Sequence, residues 1–359
     1  TETAHTTSGY QLGNDIDGEA AGDDSGASVS LSSDGNILAI GATDGGTAGH
    51  VRVYQRDASN TTVVPFGWTQ IGYNIDGETS NDDSGFSVSL SDDGSIVAIG
   101  AVFNGGKGYR AGHVRVYQFR VYTQIDSDNG TYNYTSRFQA EVSTYQRPLI
   151  ITENTSTAPV VGNSYWIQLG TEFNGDAENS WFGSSVSLSS DGSILAIGAY
   201  YKNYVRVYQI DESNTTSHPI GWTKLGDDIN GEVSGDQSGM SVSLSSDGSI
   251  VAIGARGNND NGNMAGHARV YKYSTPGLTG GTWTKYGEDM DGEAAGDYSG
   301  TSVSLSSDGN IVAIGAPNNN GSAGHVRVCQ FRVYTSDDVD KYHHTSKTQD
   351  GTQSLPLII

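Results

Sequence analysis

The chain is poor in the residues that several classes of protein require. It has one cysteine, Cys329, so it can form no intrachain disulfide, although a core of this size needs no covalent staple. Lys and Arg number 19 against 41 Asp and Glu, giving a net charge of −22. Phosphate contacts need clustered Lys and Arg, so nucleic acid is excluded as the expected partner. An anionic membrane surface is disfavoured for the same reason. No apolar run approaches the roughly 18 residues of a spanning helix, so no membrane insertion is expected. No stretch sustains the i, i+3, i+4, i+7 apolar stripe of an amphipathic helix. There is no signal-peptide pattern either. The chain begins at Thr1, without Met, which reads as a processed or excised segment.

Glycine is abundant, at 49 residues, while apolar residues make up only 35%. That profile fits many short strands joined by glycine-rich turns. The organisation is a repeat. A Ser-Val-Ser-Leu-Ser phrase, an Asp-Gly pair, an Ala-Ile-Gly-Ala run and a Val-Arg-Val-Tyr run follow one another. The first valine of the phrase falls at Val29, Val88, Val186, Val242 and Val303, at intervals of 59, 98, 56 and 61 residues. The long interval contains an insertion, residues 119–165, and residues 331–359 form a tail.

Each unit predicts four strands. Residues 28–32 alternate polar and apolar, the period of a half-buried strand. Asp34-Gly35 marks a tight turn. Residues 37–42 are nearly continuously apolar, as in a strand covered on both faces. Residues 49–55 and Trp68-Thr69-Gln70-Ile71-Gly72 supply the third and fourth strands. Four antiparallel strands repeated radially make a propeller blade. The fold expected is therefore all-β, a single β-propeller of five blades over residues 1–359. Its phase is offset: Tyr10, Gln11, Leu12 and Gly13 read as a fourth strand, and the fifth unit lacks its own. Pairing Tyr10–Gly13 with the third strand of unit five, in the same chain or in a neighbour, would close the ring and cover an edge.

Phe182-Gly183-Ser184-Ser185-Val186, Gly315-Ala316-Pro317 and the Gly-x-Val-x-Val-Tyr strands resemble FG-GAP repeats of the integrin α-chain propeller type. The resemblance spans all five units. Phe-Gly is intact in the third and Gly-Ala-Pro in the fifth. It implies a propeller. That family's calcium loops lie between the first two strands of a blade. Here that place holds only Ser33-Asp34-Gly35 and its counterparts, so the family's calcium residues are not carried over.

An acidic loop follows each fourth strand. The carboxylates are Asp15, Asp17 and Glu19; Asp76 and Glu78 beside Asn74; Glu172 and Asp176 beside Asn174; Asp228 and Glu232 beside Asn230; and Asp289, Asp291 and Glu293. Alternating oxygen donors with a glycine at the bend is how a loop wraps Ca²⁺. The same residues also form turns and cap backbone N–H groups, so both readings stay open. His50, His113, His267 and His325 follow an Ala-Gly pair in four units, which favours packing over a shared site. Trp68, Trp166, Trp222 and Trp283 hold one repeat position and are expected to pack between blades; Trp181 is off the pattern. Sequons occur at Asn60, Asn129, Asn133, Asn154, Asn214 and Asn320. All lie in predicted loops or the insertion, where glycan acceptors of a secreted protein belong.

The insertion and the tail share one text. Gln118-Phe119-Arg120-Val121-Tyr122-Thr123 recurs at positions 330–335, and Pro-Leu-Ile-Ile ends both stretches, the second at Leu357, Ile358 and Ile359. The start of the chain reads as what should follow its own end. Either the chain is one period of a longer tandem protein, or subunits meet head to tail, with Tyr10 to Gly13 and Leu357 to Ile359 as candidates for a contact that builds filaments. No nucleophile, phosphate-loop or zinc spacing occurs. The expected function is a secreted, non-enzymatic structural module of an extracellular fibre or appendage, with itself as partner. The alternative is an adhesion module for glycans or proteins, with Ca²⁺ as its one candidate cofactor.

Overall fold

The computed structural model describes residues 11–43, 47–57, 67–122, 160–211, 221–276 and 280–331, together with the backbone of 132–134, 149–151 and 357–358. The repeated phrases become strands in the order predicted. In the first blade these are Ser25–Leu31, Ile37–Ala42, His50–Arg56 and Trp68–Gln70, in the sheet order in which they follow one another in the chain. The third and fourth blades repeat this with Phe182–Leu188 to Trp222–Lys224 and Ser238–Leu244 to Trp283–Lys285. The fold is all-β, with five antiparallel sheets of propeller-blade organisation.

The local chemistry explains each turn. In the first blade Asp34 Oδ1 accepts from Ser32 Oγ at 2.7 Å and from the Asn36 N–H at 2.9 Å, and Gly35 takes φ 66° at the bend. Ser32 Oγ also accepts the Ile37 N–H, so one Ser-x-Asp-Gly phrase satisfies the polar groups of its own turn. The inner strand of the first four blades carries a register shift of bulge type, between Ser25 and Ser28 in the first, with Gly26 at φ 98°.

Blades stack in series on apolar faces. Between the first and second, Ala39, Val51, Val53 and Ile75 pack on Leu90, Val97, Ile99 and Trp166. Serine hydroxyls stitch the same junction: Ser28 Oγ donates to the Gly85 carbonyl at 2.6 Å, and the Leu90 N–H donates to Ser30 Oγ at 2.9 Å. The Ala-Ile-Gly-Ala glycine belongs there too. A Cβ on Gly41, Gly100, Gly198 or Gly254 would lie 2.1, 2.1, 2.1 or 1.9 Å from the next blade's glycine carbonyl oxygen. Small and polar residues in the repeat are thus junction chemistry.

Two departures from the sequence expectation concern the ends of the series. Tyr10 lies outside the described residues, and residues 11–13 form no strand. The third strand of the fifth blade, His325–Gln330, pairs instead with Leu357–Ile358, with Cys329 opposite Ile358 and Gln330 opposite Leu357. Closure by Tyr10–Gly13 is therefore corrected: the tail takes the vacant edge, and short main-chain pairing has little sequence requirement. In the second blade the insertion adds Tyr132–Tyr134 and Leu149–Ile151, parallel to each other, outside Ser164–Gln168, and with the two-residue Phe173–Asn174 the sheet has seven strands. Among the described residues the series of blades also stays open. Val29 and Leu31 of the first blade are 63% and 57% exposed, and Val326 and Val328 of the fifth are 66% and 50% exposed. The counterparts of Val326 and Val328, which are Val51, Val53, Val114 and Val116, are at most 1% exposed, and Val88 and Leu90, the counterparts of Val29 and Leu31, are half-buried and buried. Among the described residues no helix is long and apolar enough to cross a membrane.

Candidate functional site

Two features combine unusual chemistry with a defined place in the fold. The first is the acidic loop at each blade junction. Its third residue pairs back onto the third strand of the blade just completed, as Asp76 does opposite His50 and Asp291 opposite His267. A carbonyl of the loop points at an arginine of the next blade. Arg52 donates to the Asp17 carbonyl at 2.8 Å, Arg115 to that of Asp76 at 2.7 Å and Arg269 to that of Asn230 at 2.9 Å. Arg327 donates to the Asp291 carbonyl. In four blades the third-strand arginine therefore takes a loop carbonyl, while Arg206 of the third blade takes the carboxylates of Asp176 and Asp228 instead. Sequence reasoning passed over these arginines. Their signal was a charged residue recurring in a strand otherwise apolar.

The individual loops do not converge their own carboxylates on one point. Asp15, Asp17 and Glu19 are exposed; Glu19 accepts from Asn74 Nδ2 at 2.9 Å and lies 3.8 Å from His50 Nε2. Asp76 is exposed. Asp228 is committed to Arg206, Nε and Nη2 both at 2.9 Å, and to Lys224 Nζ at 2.8 Å. Glu293 is exposed, 3.8 Å from His325 Nδ1. The capping reading holds for a neighbouring residue of four of the five loops: Asp23, Asp82, Asp236 and Asp297 are buried and accept backbone N–H groups, from Ala20 at 2.7 Å in the first case.

Carboxylates from different loops do converge, around histidines. Glu78, His113 and Glu172 form one cluster. Around His267, two overlap: Glu232 with Asp289, and Asp260 with Asp291. Asp260 was not among the sequence candidates, because it stands in an unrepeated loop. His113 and His267 are buried, and neither ring nitrogen of either has a hydrogen-bond partner. Burial, then the neighbouring Arg115, holds His113 well below the usual imidazole range. Burial, then Arg269, lowers His267 to about 4. Both rings are neutral at pH 7. Asp291 is raised by burial and by the carboxylates of Asp289 and Asp260.

The second feature is the pair of open blade faces. Each tryptophan of the fourth-strand position donates its Nε1–H backward to the preceding blade: Trp166 to the Ile71 carbonyl at 2.9 Å, Trp222 to Leu169 at 2.9 Å and Trp283 to Leu225 at 2.8 Å. Trp68 makes the same bond to Leu12 at 2.9 Å, which places Leu12 where a preceding blade would end. Trp181 is half-buried, at φ 51°, edge-on to Phe103 and stacked on Tyr201. Of the sequons, Asn320 is exposed and Asn133 lies within Tyr132–Tyr134. Asn60, Asn129, Asn154, Asn214 and Ile359 lie outside the described residues.

This organisation defines a propeller-type repeat chain. No protein-family model and no curated protein matches it. Among solved structures it is similar to a hydrazine synthase of Kuenenia stuttgartiensis, at 13% identity and a TM-score of 0.44 over 90% of this chain and 67% of that one. It is similar to a protein described as a 6-phosphogluconolactonase from Bacteroides uniformis, at 9% identity, TM-score 0.44, over 86% and 81%. A third is the periplasmic gluconolactonase PpgL of Pseudomonas aeruginosa, at 14%, TM-score 0.37, over 85% and 81%. Likenesses this distant assign no activity. They do correct the expectation that a repeated chain is not an enzyme, since these structures carry enzyme names. The premise behind that expectation also fails within the chain. Repetition does not keep unrepeated groups such as Asp260 from converging on one histidine.

Proposed function

We propose that this chain is an extracellular structural module that assembles head to tail, the free face of its fifth blade docking on the free face of the first blade of the next copy. The observation that supports this reading is that the two exposed faces are the two halves of every internal junction. Val326 and Val328 are the counterparts of Val51 and Val53, and Val29 and Leu31 those of Val88 and Leu90. The polar stitches are kept as well. Ser302 and Ser304 correspond to Ser28 and Ser30, which donate to the Gly85 carbonyl and accept the Leu90 N–H; Gly26 and Leu31 offer the matching groups on the first blade. Contiguous exposed apolar faces of this kind mark interaction sites.

The magnitude favours concentration-dependent assembly. Four apolar side chains at about 1.5–3 kcal/mol each contribute roughly 6–12 kcal/mol. Association costs about 4–15 kcal/mol. A heterologous contact that does not close builds filaments. Because Leu357–Ile358 hold the edge of the fifth blade, the route proposed is face stacking and not strand donation. The kinship with FG-GAP repeats belongs to the same proposal. Phe182 of its Phe-Gly pair is fully buried in the junction of the second and third blades, the place of a blade-packing residue.

The experiment is sedimentation velocity from about 1 μM to 1 mM, with negative-stain microscopy of the most concentrated sample. Growth of species larger than the monomer, lost in Val326→Asp/Val328→Asp, supports the proposal. A monomer at every concentration overturns it.

A further inference from the structure

We propose that the junction of the fourth and fifth blades is a divalent metal site of the zinc type, with His267 as its nitrogen ligand, Glu232 and Asp289 as its oxygen ligands, and Asp260 and Asp291 as a second, overlapping pair around the same ring. The site is assembled from four segments. His267 opens the third strand of the fourth blade, Glu232 belongs to the loop entering that blade, Asp289 and Asp291 to the loop leaving it, and Asp260 to the loop before His267.

The imidazole is the first indication. His267 is fully buried, and neither Nδ1 nor Nε2 has a hydrogen-bond partner. A buried polar group without a partner costs about 1–3 kcal/mol, so a group left in this state calls for a partner. Nδ1 points at carboxylates without bonding them: it is 3.8 Å from Asp291 Oδ1 and 4.0 Å from Glu232 Oε2. Those separations exceed hydrogen-bond reach. They approach the spacing of about 3.4 Å between two ligands that each lie about 2.0–2.2 Å from one ion.

The carboxylates are the second indication. The Oδ1 atoms of Asp289 and Asp291 are both buried and without a partner. The cations already present use the opposite oxygens. Lys285 Nζ lies 2.7 Å from Asp289 Oδ2, and Arg269 Nη1 lies 3.5 Å from Glu232 Oε1. Asp289 and Glu232 are thus each paired from outside through one oxygen, and Asp289 keeps its other oxygen buried and unpartnered.

The third blade supplies an internal comparison. Tyr204 stands where the other blades have histidine, and Arg206 turns to bridge Asp176 of one loop and Asp228 of the next. Where the imidazole is missing, a guanidinium fills the space between two loops. In the fourth blade Arg269 donates instead to the Asn230 carbonyl, and the carboxylates outnumber the side-chain cations beside them. Imidazole with carboxylates suits zinc and its neighbours better than the all-oxygen shell that calcium takes.

The test uses the full chain stripped with a chelator, titrated with ZnCl₂ by calorimetry and with CoCl₂ by visible absorption. The expected result is one saturating equivalent in the micromolar range or tighter, with cobalt ligand-field bands. Affinity should fall at least tenfold in Asp289→Asn/Asp291→Asn. Glu232→Gln, at a partly exposed position that does not threaten folding, should weaken it several-fold. Glu78→Gln, in the separate His113 cluster, should leave this equivalent unchanged. No saturable binding of Zn²⁺, binding of Ca²⁺ in its place, or equal affinity in the wild type, the double variant and Glu232→Gln would overturn the proposal.

Discussion

Gly315 offers a test that separates folding from assembly with one methyl group. Its counterparts Gly100, Gly198 and Gly254 each face the backbone of the next blade, so closely that an added Cβ would lie 1.9–2.1 Å from a carbonyl oxygen. Backbone cannot swing aside as a side chain can. Gly198→Ala must therefore push two blades apart, and overpacking of this kind costs about 1–3 kcal/mol or more. At Gly315 no next blade is present among the described residues. The nearest atom to an added Cβ is Ser302 Oγ, at 2.3 Å, which can rotate away. Gly315→Ala should thus leave the urea unfolding midpoint of the monomer nearly unchanged, while Gly198→Ala lowers it clearly. In a stacked assembly the Gly26 carbonyl of the following copy would meet the new methyl as Gly239 would meet one on Gly198. The same 1–3 kcal/mol then falls on association, weakening it about five- to 150-fold, since 1.4 kcal/mol is a factor of ten. Paired denaturation and sedimentation measurements on the two variants check this. If Gly315→Ala unfolds as readily as Gly198→Ala, or assembles as well as the wild type, the reasoning fails.

Other outcomes follow from the same structure. Trp222→Phe removes the bond from Nε1 to the Leu169 carbonyl and should cost about 1 kcal/mol of unfolding free energy by denaturant titration; Trp166→Ala, at a fully buried position, should cost about 3–5 kcal/mol. Stability should fall on acidification. His113 and His267 are held neutral in the fold, so the unfolded chain binds protons first: the contribution is complete above about pH 6.5 and is lost as pH drops below it, toward about 4 for His267. Asp291, raised by burial, opposes this at the His267 site, so His113 is the cleaner reporter. Urea unfolding from pH 4.5 to 7.5 measures the slope, and a flat profile in the wild type speaks against neutral buried imidazoles.

Much of the fold was legible because one unit is written five times. Alternation in Ser-Val-Ser-Leu-Ser, continuity in Ala-Ile-Gly-Ala and the Asp-Gly turn each have a single local solution, and every copy adopts it. The site was less legible. The acidic loops were seen, but they were taken one at a time, as a calcium loop works. The structure gathers ligands across loops instead, adding Asp260 from an unrepeated turn and leaving Asp15, Asp17, Glu19, Asp76, Asp228 and Glu293 outside the clusters. The buried arginines were read as part of a strand pattern. Only packing reveals that each one reaches a loop carbonyl of the preceding junction.

Sequence by itself determined the strands, their order within a blade and the number of units, because these depend on side-chain alternation and turn residues close together along the chain. It also carried the chemistry of every junction in its serines, glycines and valines. Tertiary structure alone decided what those junctions meet. Val326 is buried or exposed according to whether another blade stands beside it, and no local pattern distinguishes it from Val51. The edge of the fifth blade went to Leu357–Ile358 and not to Tyr10–Gly13, because main-chain pairing accepts either segment and only the path of the chain selects between them.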